Sequence, residues 1–117
     1  MTLRDDAETR TGIQVKSEDG TLIVELPLEI SNGNAADVEQ ELADIFLQND
    51  AAERIVLDAG RTRYITSAGL RVILKLVKMD KPVSVINASP SVYEVFEVSG
   101  FINLIPVQKP ANGGTIF

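Results

Sequence analysis

The sequence predicts one α/β domain built on a mixed, mainly parallel β-sheet, with its helices packed mostly on one side. Two segments of alternating apolar and polar residues flank an Asp-Gly pair near the start of the chain, which is the pattern of an antiparallel hairpin. Three amphipathic helical patterns then alternate with short apolar segments, an order that gives parallel strands connected by helices. The chain has 117 residues, the size of one ordinary domain.

The hairpin is predicted around Asp19-Gly20. Residues 13–16 and 21–26 alternate between apolar and polar side chains, so each segment is expected to form a half-buried strand. Glycine accepts the positive φ that a two-residue hairpin turn needs. Pro27 ends the second strand or confines it to an edge, because proline has no N–H to donate to a neighbouring strand.

The first helix is predicted to begin after Asn34, a common capping residue, and to end near Asn49. Its apolar positions recur at helical spacing and define one face, which consists of Val38, Leu42, Ile45 and Phe46. Its carboxylates are expected to form a solvated face rather than a metal cluster, and the early ones favour the helix dipole.

The later segments alternate between strands and helices. The apolar segment 54–58 is typical of a strand covered on both faces, and residues 83–86 predict a second buried strand. A helix is predicted over roughly residues 67–79, and another begins after the cap Ser89-Pro90 and stops at the next glycine. Residues 105–107 predict a last short strand.

Composition excludes several classes of function. The chain has no His and no Cys, which rules out a Ser-His-Asp triad, a thiol nucleophile and a zinc-thiolate site. No glycine-rich phosphate loop followed by Lys-Ser or Lys-Thr occurs. The net charge of −6 argues against nucleic acid or an anionic membrane as the main partner. We therefore expect no catalytic site, no metal site and no cofactor.

The charges are divided unevenly along the chain. Residues 1–53 hold 13 acidic and 3 basic residues, whereas residues 54–117 hold 4 acidic and 8 basic residues. The folded molecule is therefore expected to have an acidic and a basic region. Ordinary solvated surface charge is the alternative explanation of this division.

No targeting or membrane segment is predicted. The N-terminus is acidic and lacks the apolar stretch of a signal peptide, and no apolar run approaches about 20 residues. We therefore expect a cytoplasmic protein without membrane insertion that is a monomer when free. The domain is expected to span residues 12–108, between a flexible N-terminal segment, residues 1–11, and a C-terminal tail, residues 109–117.

The second helix carries three stripes at helical spacing. The first should face the core and consists of Leu70, Ile73, Leu74 and Val77. The second is a basic flank formed by Arg71, Lys75 and Lys78. The third is apolar, lies roughly opposite the core face and consists of Val72, Leu76 and Met79. Such a stripe is either covered by the third helix or the C-terminal tail, or it binds a partner with an acidic surface.

The most informative stretch runs from Asp58, at the end of a predicted strand, to Ser67 at the start of the second helix. Ligands of open α/β sheets gather beyond the carboxyl ends of the strands, so this loop is the expected functional site. At or near the helix N-cap, Ser67 can simply accept a backbone N–H. Alternatively, its hydroxyl is exposed where a phosphate would meet free N–H groups, the helix dipole, Arg61 and Arg63.

Two stretches resemble the signature of STAS domains, and more closely that of bacterial anti-sigma factor antagonists. They are residues 54–58, Arg-Ile-Val-Leu-Asp, and residues 65–71, Ile-Thr-Ser-Ala-Gly-Leu-Arg. Residues 92–101, Val-Tyr-Glu-Val-Phe-Glu-Val-Ser-Gly-Phe, resemble the late helix of that family and the turn after it. The resemblance covers about residues 12–108 and implies a STAS-like fold.

The resemblance implies a partner-switching regulator rather than an enzyme. In that family the serine at the position of Ser67 is phosphorylated by a cognate anti-sigma factor that is an ATP-dependent serine kinase, and a PPM-type phosphatase removes the phosphate. The unphosphorylated protein binds the kinase or anti-sigma factor and frees its other client, often a sigma factor. Thr66 is the second choice as acceptor, because it places another hydroxyl beside Ser67.

The resemblance also implies a partner surface around this serine. Glu29 stands in for an acidic residue of the family, in the loop beside the phosphorylation site. The predicted partner-binding residues are Glu29, Asp58, Arg61, Arg63, Thr66, Ser67, Ala68, Gly69, Arg71, Val72, Lys75, Leu76 and Met79.

Two alternatives stay open at the level of sequence. The first is a STAS adaptor subunit of a larger assembly, such as a lipid-transport ABC complex, that is not phosphorylated. The second is a small enzyme or nucleotide binder, which the missing His and the missing glycine loop disfavour.

Overall fold

The computed structural model describes residues 11–110 of the chain. Its strands are β1 (Gln14–Glu18), β2 (Thr21–Glu25), β3 (Glu29–Ile30), β4 (Arg54–Asp58), β5 (Tyr64–Ile65) and β6 (Val83–Ile86). Its helices are α1 (Ala35–Gln48), α2 (Ser67–Val77) and α3 (Pro90–Val98), followed by a 3₁₀ turn (Phe101–Asn103). The main sheet has the strand order β1-β2-β4-β6, while β3 and β5 pair with each other in a second sheet.

β1 and β2 pair antiparallel and form the predicted hairpin. Asp19 and Gly20, between the strands, have positive φ angles of 49° and 82°. Positive φ at both central residues defines the type I′ turn, whose twist matches that of the flanking strands. β2 ends at Glu25, before Pro27, as predicted.

β4 lies at the centre of the parallel part of the sheet, between β2 and β6. The connection from β2 to β4 passes through β3 and α1, and the connection from β4 to β6 passes through β5 and α2. Each helix thus returns the chain to the start of the next parallel strand. The predicted mixed, mainly parallel sheet is confirmed.

The core lies between the helices and one face of the main sheet. The strand residues on this face are almost wholly buried, and they are Leu22, Val24, Ile55, Leu57, Val83 and Val85. Their neighbours on the opposite face, such as Ile23 and Val56, are only half-buried. The expectation that residues 54–58 are covered on both faces is therefore wrong, because the helices described here shield one face.

The predicted last strand is reduced to a single parallel bridge between Val107 and Val85 of β6. Val85 donates its N–H to the carbonyl of Pro106 over 2.9 Å and accepts from the N–H of Gln108 over 2.9 Å. The segment follows the 3₁₀ turn and runs beside β6 over too few residues to form a further strand of the sheet. The chain is nevertheless anchored here, at the edge of the main sheet.

Two residues of the third stripe on α2 are buried, so the prediction that this stripe faces away from the core is wrong. Val72 is 3% exposed and Leu76 is 6% exposed. α1 lies against this side of α2, and its Leu42 and Phe46 line a groove together with the same two residues. Only Met79, beyond the end of the helix, stays exposed.

The stripe of α2 predicted to face the core is buried to different degrees. Ile73 is completely buried. The other members pack against the core while partly buried, and they are Leu70, Leu74 and Val77. α2 therefore buries a broader arc than predicted, because it contacts both the sheet layer and α1.

Candidate functional site

The short strands β3 and β5 bring the starts of α1 and α2 together. They pair in parallel, with Glu29 opposite Tyr64 and Ile30 opposite Ile65. The N–H of Thr66 extends this pairing by donating to the carbonyl of Ile30 over 3.0 Å. Sequence reasoning missed both strands, because two residues are too few to show an alternating pattern. As a result, the loops before the two helices form one surface.

Gly69 allows the first turn of α2 to lie directly against β3. A β-carbon at this position would come within 2.7 Å of the Ile30 carbonyl oxygen and 2.8 Å of Ile65 Cγ2. Both distances are far below van der Waals contact, so a larger residue would push the helix away. The glycine of the Ser-Ala-Gly-Leu segment is therefore required by packing, and it fixes the position of Ser67.

Ser67 is the first residue of α2 and is exposed, while Thr66 occupies the N-cap. The Thr66 hydroxyl donates to the carbonyl of Ile30 over 3.4 Å, and none of the side chains between residues 11 and 110 caps the helix. Within residues 11–110 the Ser67 hydroxyl has no hydrogen-bond partner. Ser89, by contrast, caps α3 by accepting from the N–H of Val92. The simple capping role considered for Ser67 is thus not what the structure shows.

The start of α2 is suited to binding a negative charge, and the first turn of the helix contains no acidic side chain that could provide one. The N–H groups of that turn receive no cap from any side chain in the described part of the chain. Free N–H groups and the helix dipole favour an anion at such a position. α1 differs, since Asp37 lies in its first turn. Arg63 and Arg71, exposed on either side of Ser67 in the chain, add positive charge.

Glu29 belongs to a hydrogen-bonded cluster beside the start of α2. Its carboxylate accepts from the Ser31 hydroxyl over 3.0 Å, and its carbonyl accepts from the Asn34 side-chain amide over 2.9 Å. Asn34 Oδ1 accepts from the N–H of Ser31 over 2.8 Å. Asn34 is the N-cap residue of α1, as predicted, but its side chain braces the preceding loop instead of capping the helix.

Tyr64 is the aromatic residue of this surface, and sequence reasoning missed it. Its side chain is 48% exposed. A hydrogen bond to the Glu29 carboxylate, reinforced by the negative charge of that group, raises the pKa of Tyr64 above the ordinary 10.0. In the sequence, its position two residues before Thr66 is the one feature that could have indicated a place in this site. Tyr64 couples the β3 and β5 sides of the site.

Asp58 and Arg61, both predicted to bind a partner, are half-buried, and their side chains contact other residues of the domain. Asp58 Oδ1 accepts from the N–H of Gly60 over 2.9 Å and from Asn87 Nδ2 over 3.1 Å. Arg61 pairs with Glu25 of β2, with Nη1 and Oε1 3.2 Å apart. The Asp58 contacts shape the loop between β4 and β5, while Arg61 is directed toward β2 rather than toward a phosphate on Ser67.

The other predicted partner-binding residues divide into an exposed and a buried group. The exposed group consists of Arg63, Ser67, Arg71, Lys75 and Met79. The buried group consists of Ala68, Gly69, Val72 and Leu76. Lys75 pairs with Glu39 of α1, with Nζ and Oε2 2.7 Å apart. The structure thus leaves the basic residues of the predicted set exposed and places Val72 and Leu76 beneath α1 and Gly69 against β3.

The part of the chain between residues 11 and 110 contains no group of three or more acidic side chains arranged to hold a metal ion. In the same range, no helix combines the length and apolar composition needed to cross a bilayer. What the site offers is an exposed hydroxyl, uncapped backbone N–H groups and positive charge.

The family model of the STAS domain matches residues 12–111. A curated relative from Bordetella bronchiseptica, BtrV, is named as a candidate anti-sigma factor antagonist. The two sequences are 45% identical over 94 residues, which cover 76% of this chain and 78% of the relative.

Solved structures share the fold. A candidate anti-sigma factor antagonist from Thermotoga maritima has a TM-score of 0.74 at 18% identity, covering 87% of this chain and 90% of that one. The anti-sigma factor antagonist SpoIIAA in its unphosphorylated form has a TM-score of 0.67 at 19% identity, covering 82% and 87%. SpoIIAA of Bacillus in its phosphorylated form has a TM-score of 0.58 at 19% identity, covering 82% and 90%. From the family match and the Bordetella relative, the chain belongs to the STAS domain family and, within it, to the anti-sigma factor antagonists.

Proposed function

We propose that this regulatory, non-enzymatic protein is a partner-switching anti-sigma factor antagonist controlled by phosphorylation of Ser67. Unphosphorylated, it binds a cognate anti-sigma factor that is also a serine kinase, and so frees that factor's other client. Phosphorylation releases the protein, and a PPM-type phosphatase restores the binding form. The kinase supplies ATP and Mg²⁺, so the chain needs no cofactor, and the exchange takes place in the cytoplasm.

The exposed Ser67 hydroxyl at the uncapped start of α2 carries this proposal. A serine that only capped the helix would accept a hydrogen bond from a backbone N–H, as Ser89 does in α3. Ser67 makes no such bond within residues 11–110 and is exposed to an incoming kinase. Gly69 fixes this geometry by letting α2 pack against β3.

A phosphate on Ser67 would obstruct the partner without unfolding the domain. It adds about −1.5 to −2 charges at neutral pH. The free N–H groups of the first turn stabilise those charges, so the helix keeps its position. A partner surface fitted to a neutral hydroxyl must instead accommodate the added bulk and desolvate the charges. Release is therefore a local event.

Ser67 is a better acceptor than Thr66. The Thr66 hydroxyl is bonded to the Ile30 carbonyl and its residue is half-buried. Phosphorylation there would break this contact and force a dianion against the packed start of α2. Ser67 requires neither change, so we expect modification at Ser67 alone.

The proposed partner surface is revised by the side chains that surround Ser67. It retains the accessible polar members of the predicted set that make no ion pair with β2 and adds the aromatic residue missed from the sequence. It consists of Glu29, Arg63, Tyr64, Thr66, Ser67, Arg71 and Lys75, and the exposed but apolar Met79, beyond the far end of α2, is left out. Asp58 and Arg61 support the fold instead of contacting the partner, and Val72 and Leu76 are removed because α1 covers them.

Binding to a cognate anti-sigma kinase tests the proposal. Ser67→Ala should bind as wild type does and resist release by ATP, whereas Ser67→Asp should bind at least about tenfold more weakly. Thr66→Val is the matched control, because it removes the neighbouring hydroxyl and should leave ATP-dependent release intact. A Ser67→Asp variant that binds as tightly as wild type would contradict the switch.

Mass spectrometry of the protein from its own cells separates this switch from the STAS adaptor. A species heavier by one phosphate, mapped to Ser67, supports the switch. Unmodified protein that co-purifies with a transport ATPase supports the adaptor. The name of the 45% identical relative, an anti-sigma factor antagonist, favours the first outcome.

A further inference from the structure

The main sheet has one closed edge and one open edge. At β6 the chain closes the edge itself, since Val85 exchanges backbone hydrogen bonds with Pro106 and Gln108. β1 forms the other edge and, within residues 11–110, pairs only with β2. All five of its residues are exposed, and the side chain of Val15 is 39% exposed. A bare edge strand is a template on which another strand can pair.

The backbone groups of Val15 and Ser17 face this open edge. Glu18 and Thr21 flank the two-residue turn, which bonds the carbonyl of the first to the N–H of the second. Bonded and non-bonded pairs alternate along antiparallel strands, so Val15 and Ser17 direct their N–H and C=O groups away from β2. No residue of the described range forms a hydrogen bond with these groups.

Two charges of opposite sign lie on the same strand. Lys16 and Glu18 are on the face of β1 that is turned away from the helices, because Ser17 between them pairs with the buried Leu22. Both side chains are exposed, and neither forms an ion pair within residues 11–110. Their charges are therefore available to a partner strand.

We propose that β1 pairs antiparallel with β1 of a second copy, so that the two main sheets become one continuous sheet. A twofold axis perpendicular to the sheet passes between the two Ser17 residues, whose N–H and C=O groups then bond to each other. Lys16 of each copy lies directly opposite Glu18 of the other. Opposite charges thus meet on both sides of the axis.

The same charges select this register. Moving the axis by one residue along β1 would place Lys16 opposite Lys16 of the other copy, or Glu18 opposite Glu18. Like charges directly opposite each other destabilise an antiparallel pair. The charges therefore fix the pairing, while the backbone bonds provide the contact. Because the strand is short, the contact is small and the dimer is weak and reversible.

The proposed contact lies away from the surface around Ser67. Glu18 is level with Thr21 and Arg54, at the amino ends of β2 and β4. The loop that leads to Ser67 starts after Asp58, at the carboxyl end of β4. The dimer therefore uses none of the proposed partner surface and does not depend on the switch. It departs from the monomer expected from the sequence, because only the strand order shows which strand lies at an edge.

Sedimentation equilibrium of the full chain, from micromolar to millimolar concentrations, tests the dimer. The mean mass should rise from the 12.7 kDa of one chain toward twice that value. Over the same range, amide hydrogen exchange at Ser17 should slow, because its N–H becomes bonded. A mass that stays at one chain would overturn the proposal, whichever other segment or protein covers the edge. A rise in mass without slower exchange at Ser17 would place the contact elsewhere and would overturn it as well.

Charge reversal tests the register. Lys16→Glu and Glu18→Lys should each weaken association by about fivefold or more, because like charges then face each other. The chain that carries both substitutions should associate as wild type does, since the two charges only exchange places. An equal mixture of the two single variants should also associate. Single variants that associate as wild type does, or a double variant as weak as the single ones, would contradict this register.

A backbone substitution and two controls complete the test. Ser17→Pro removes the N–H at the centre of the contact but no bond to β2, so the domain should fold and stay monomeric. A folded variant that still associates would count against strand pairing, and the charge variants decide if it does not fold. Glu97→Lys reverses an exposed charge on α3 and should leave association unchanged. Ser67→Asp should also associate as wild type does, so failure of the dimer and failure of the switch are distinguishable.

Discussion

Ser67 and Thr66 carry the same hydroxyl chemistry, yet their surroundings separate them. The resemblance ranked Ser67 before Thr66, but the sequence could not show what engages the Thr66 hydroxyl, because the carbonyl that binds it belongs to Ile30, 36 residues earlier. Arg61 shows the same limit, since its guanidinium pairs with Glu25, also 36 residues away. Local patterns place a residue on an element, but long-range contacts decide whether its side chain is free.

The contact between Tyr64 and Glu29 predicts a measurable effect of one carboxylate. Replacing Glu29 with Gln removes the charge that opposes the tyrosinate, so the pKa of Tyr64 should fall toward 10.0. Absorbance titration of tyrosinate measures this shift, in a Tyr93→Phe background that leaves Tyr64 as the only tyrosine. Glu94→Gln, on α3, is the control. An unchanged pKa in Glu29→Gln would contradict the contact.

The same contact predicts the sign of a pH effect on stability. The pKa of Tyr64 is higher in the folded than in the unfolded chain, since the unfolded chain lacks the ordered Glu29 contact. The stabilisation is therefore complete below the unfolded value, near 10.0, and is lost as pH rises through the folded value. Chemical unfolding across this range should show wild type losing more stability than Glu29→Gln, and a parallel loss would refute the linkage.

At the scale of elements, the sequence predicted both α1 and α2, but not that α1 covers one side of α2. Its periodicity placed Val72 and Leu76 on one side, yet periodicity carries no information about which neighbour lies there. α1 covers that side, so the two residues belong to the core. β3 and β5 were missed for a related reason, since each is a two-residue strand defined by its pairing alone.

Burial of Leu76 beneath α1 predicts that its truncation destabilises the domain. Leu76→Ala should lower the free energy of unfolding by about 2–5 kcal/mol, the usual cost of shortening a buried leucine. Met79→Ala, at an exposed position on the same stripe, should change it by no more than about 0.5 kcal/mol. Denaturant unfolding compares the two variants. A Leu76→Ala variant as stable as Met79→Ala would contradict the burial of Leu76 beneath α1.

Because α2 lies so close to β3, even a methyl group at position 69 should lower the stability of the domain. Gly69→Ala should destabilise the domain by about 1–3 kcal/mol, because its methyl group would meet the Ile30 carbonyl. Gly33→Ala is the matched control, since its β-carbon would meet nothing closer than Ser31 Oγ at 3.8 Å. Thermal unfolding measures both. A Gly69→Ala variant as stable as Gly33→Ala would show that the packing is looser.

At the scale of the whole molecule, patterns long enough to repeat predicted the fold. The hairpin around Asp19-Gly20, the parallel strands β4 and β6 and the three helices follow from such patterns. The segment 105–107 also looked like a strand, but it forms a single bridge because few of its residues align with β6. Part of the uneven charge distribution predicted from the sequence lies on two adjacent helices, because α1 is acidic and α2 is basic.

The common core predicts that the described part of the chain folds as one unit. A shortened chain of residues 11–110 retains the buried hydrophobic cluster that the structure describes in this range. Its denaturant unfolding should be a single transition. Circular dichroism and tyrosine absorbance, which report on different features of the fold, should give the same midpoint. Two separated transitions would contradict a single domain and the boundaries predicted near residues 12 and 108.

The affinity of the cognate anti-sigma kinase for this protein with and without phosphate on Ser67 tests the central claim most directly. Calorimetry with the homogeneously phosphorylated protein gives both dissociation constants under the same conditions. Local obstruction at the start of α2 predicts that phosphorylation weakens binding by at least about tenfold, while the circular dichroism spectrum of the domain is unchanged. Equal affinities for the two forms would contradict the proposed switch.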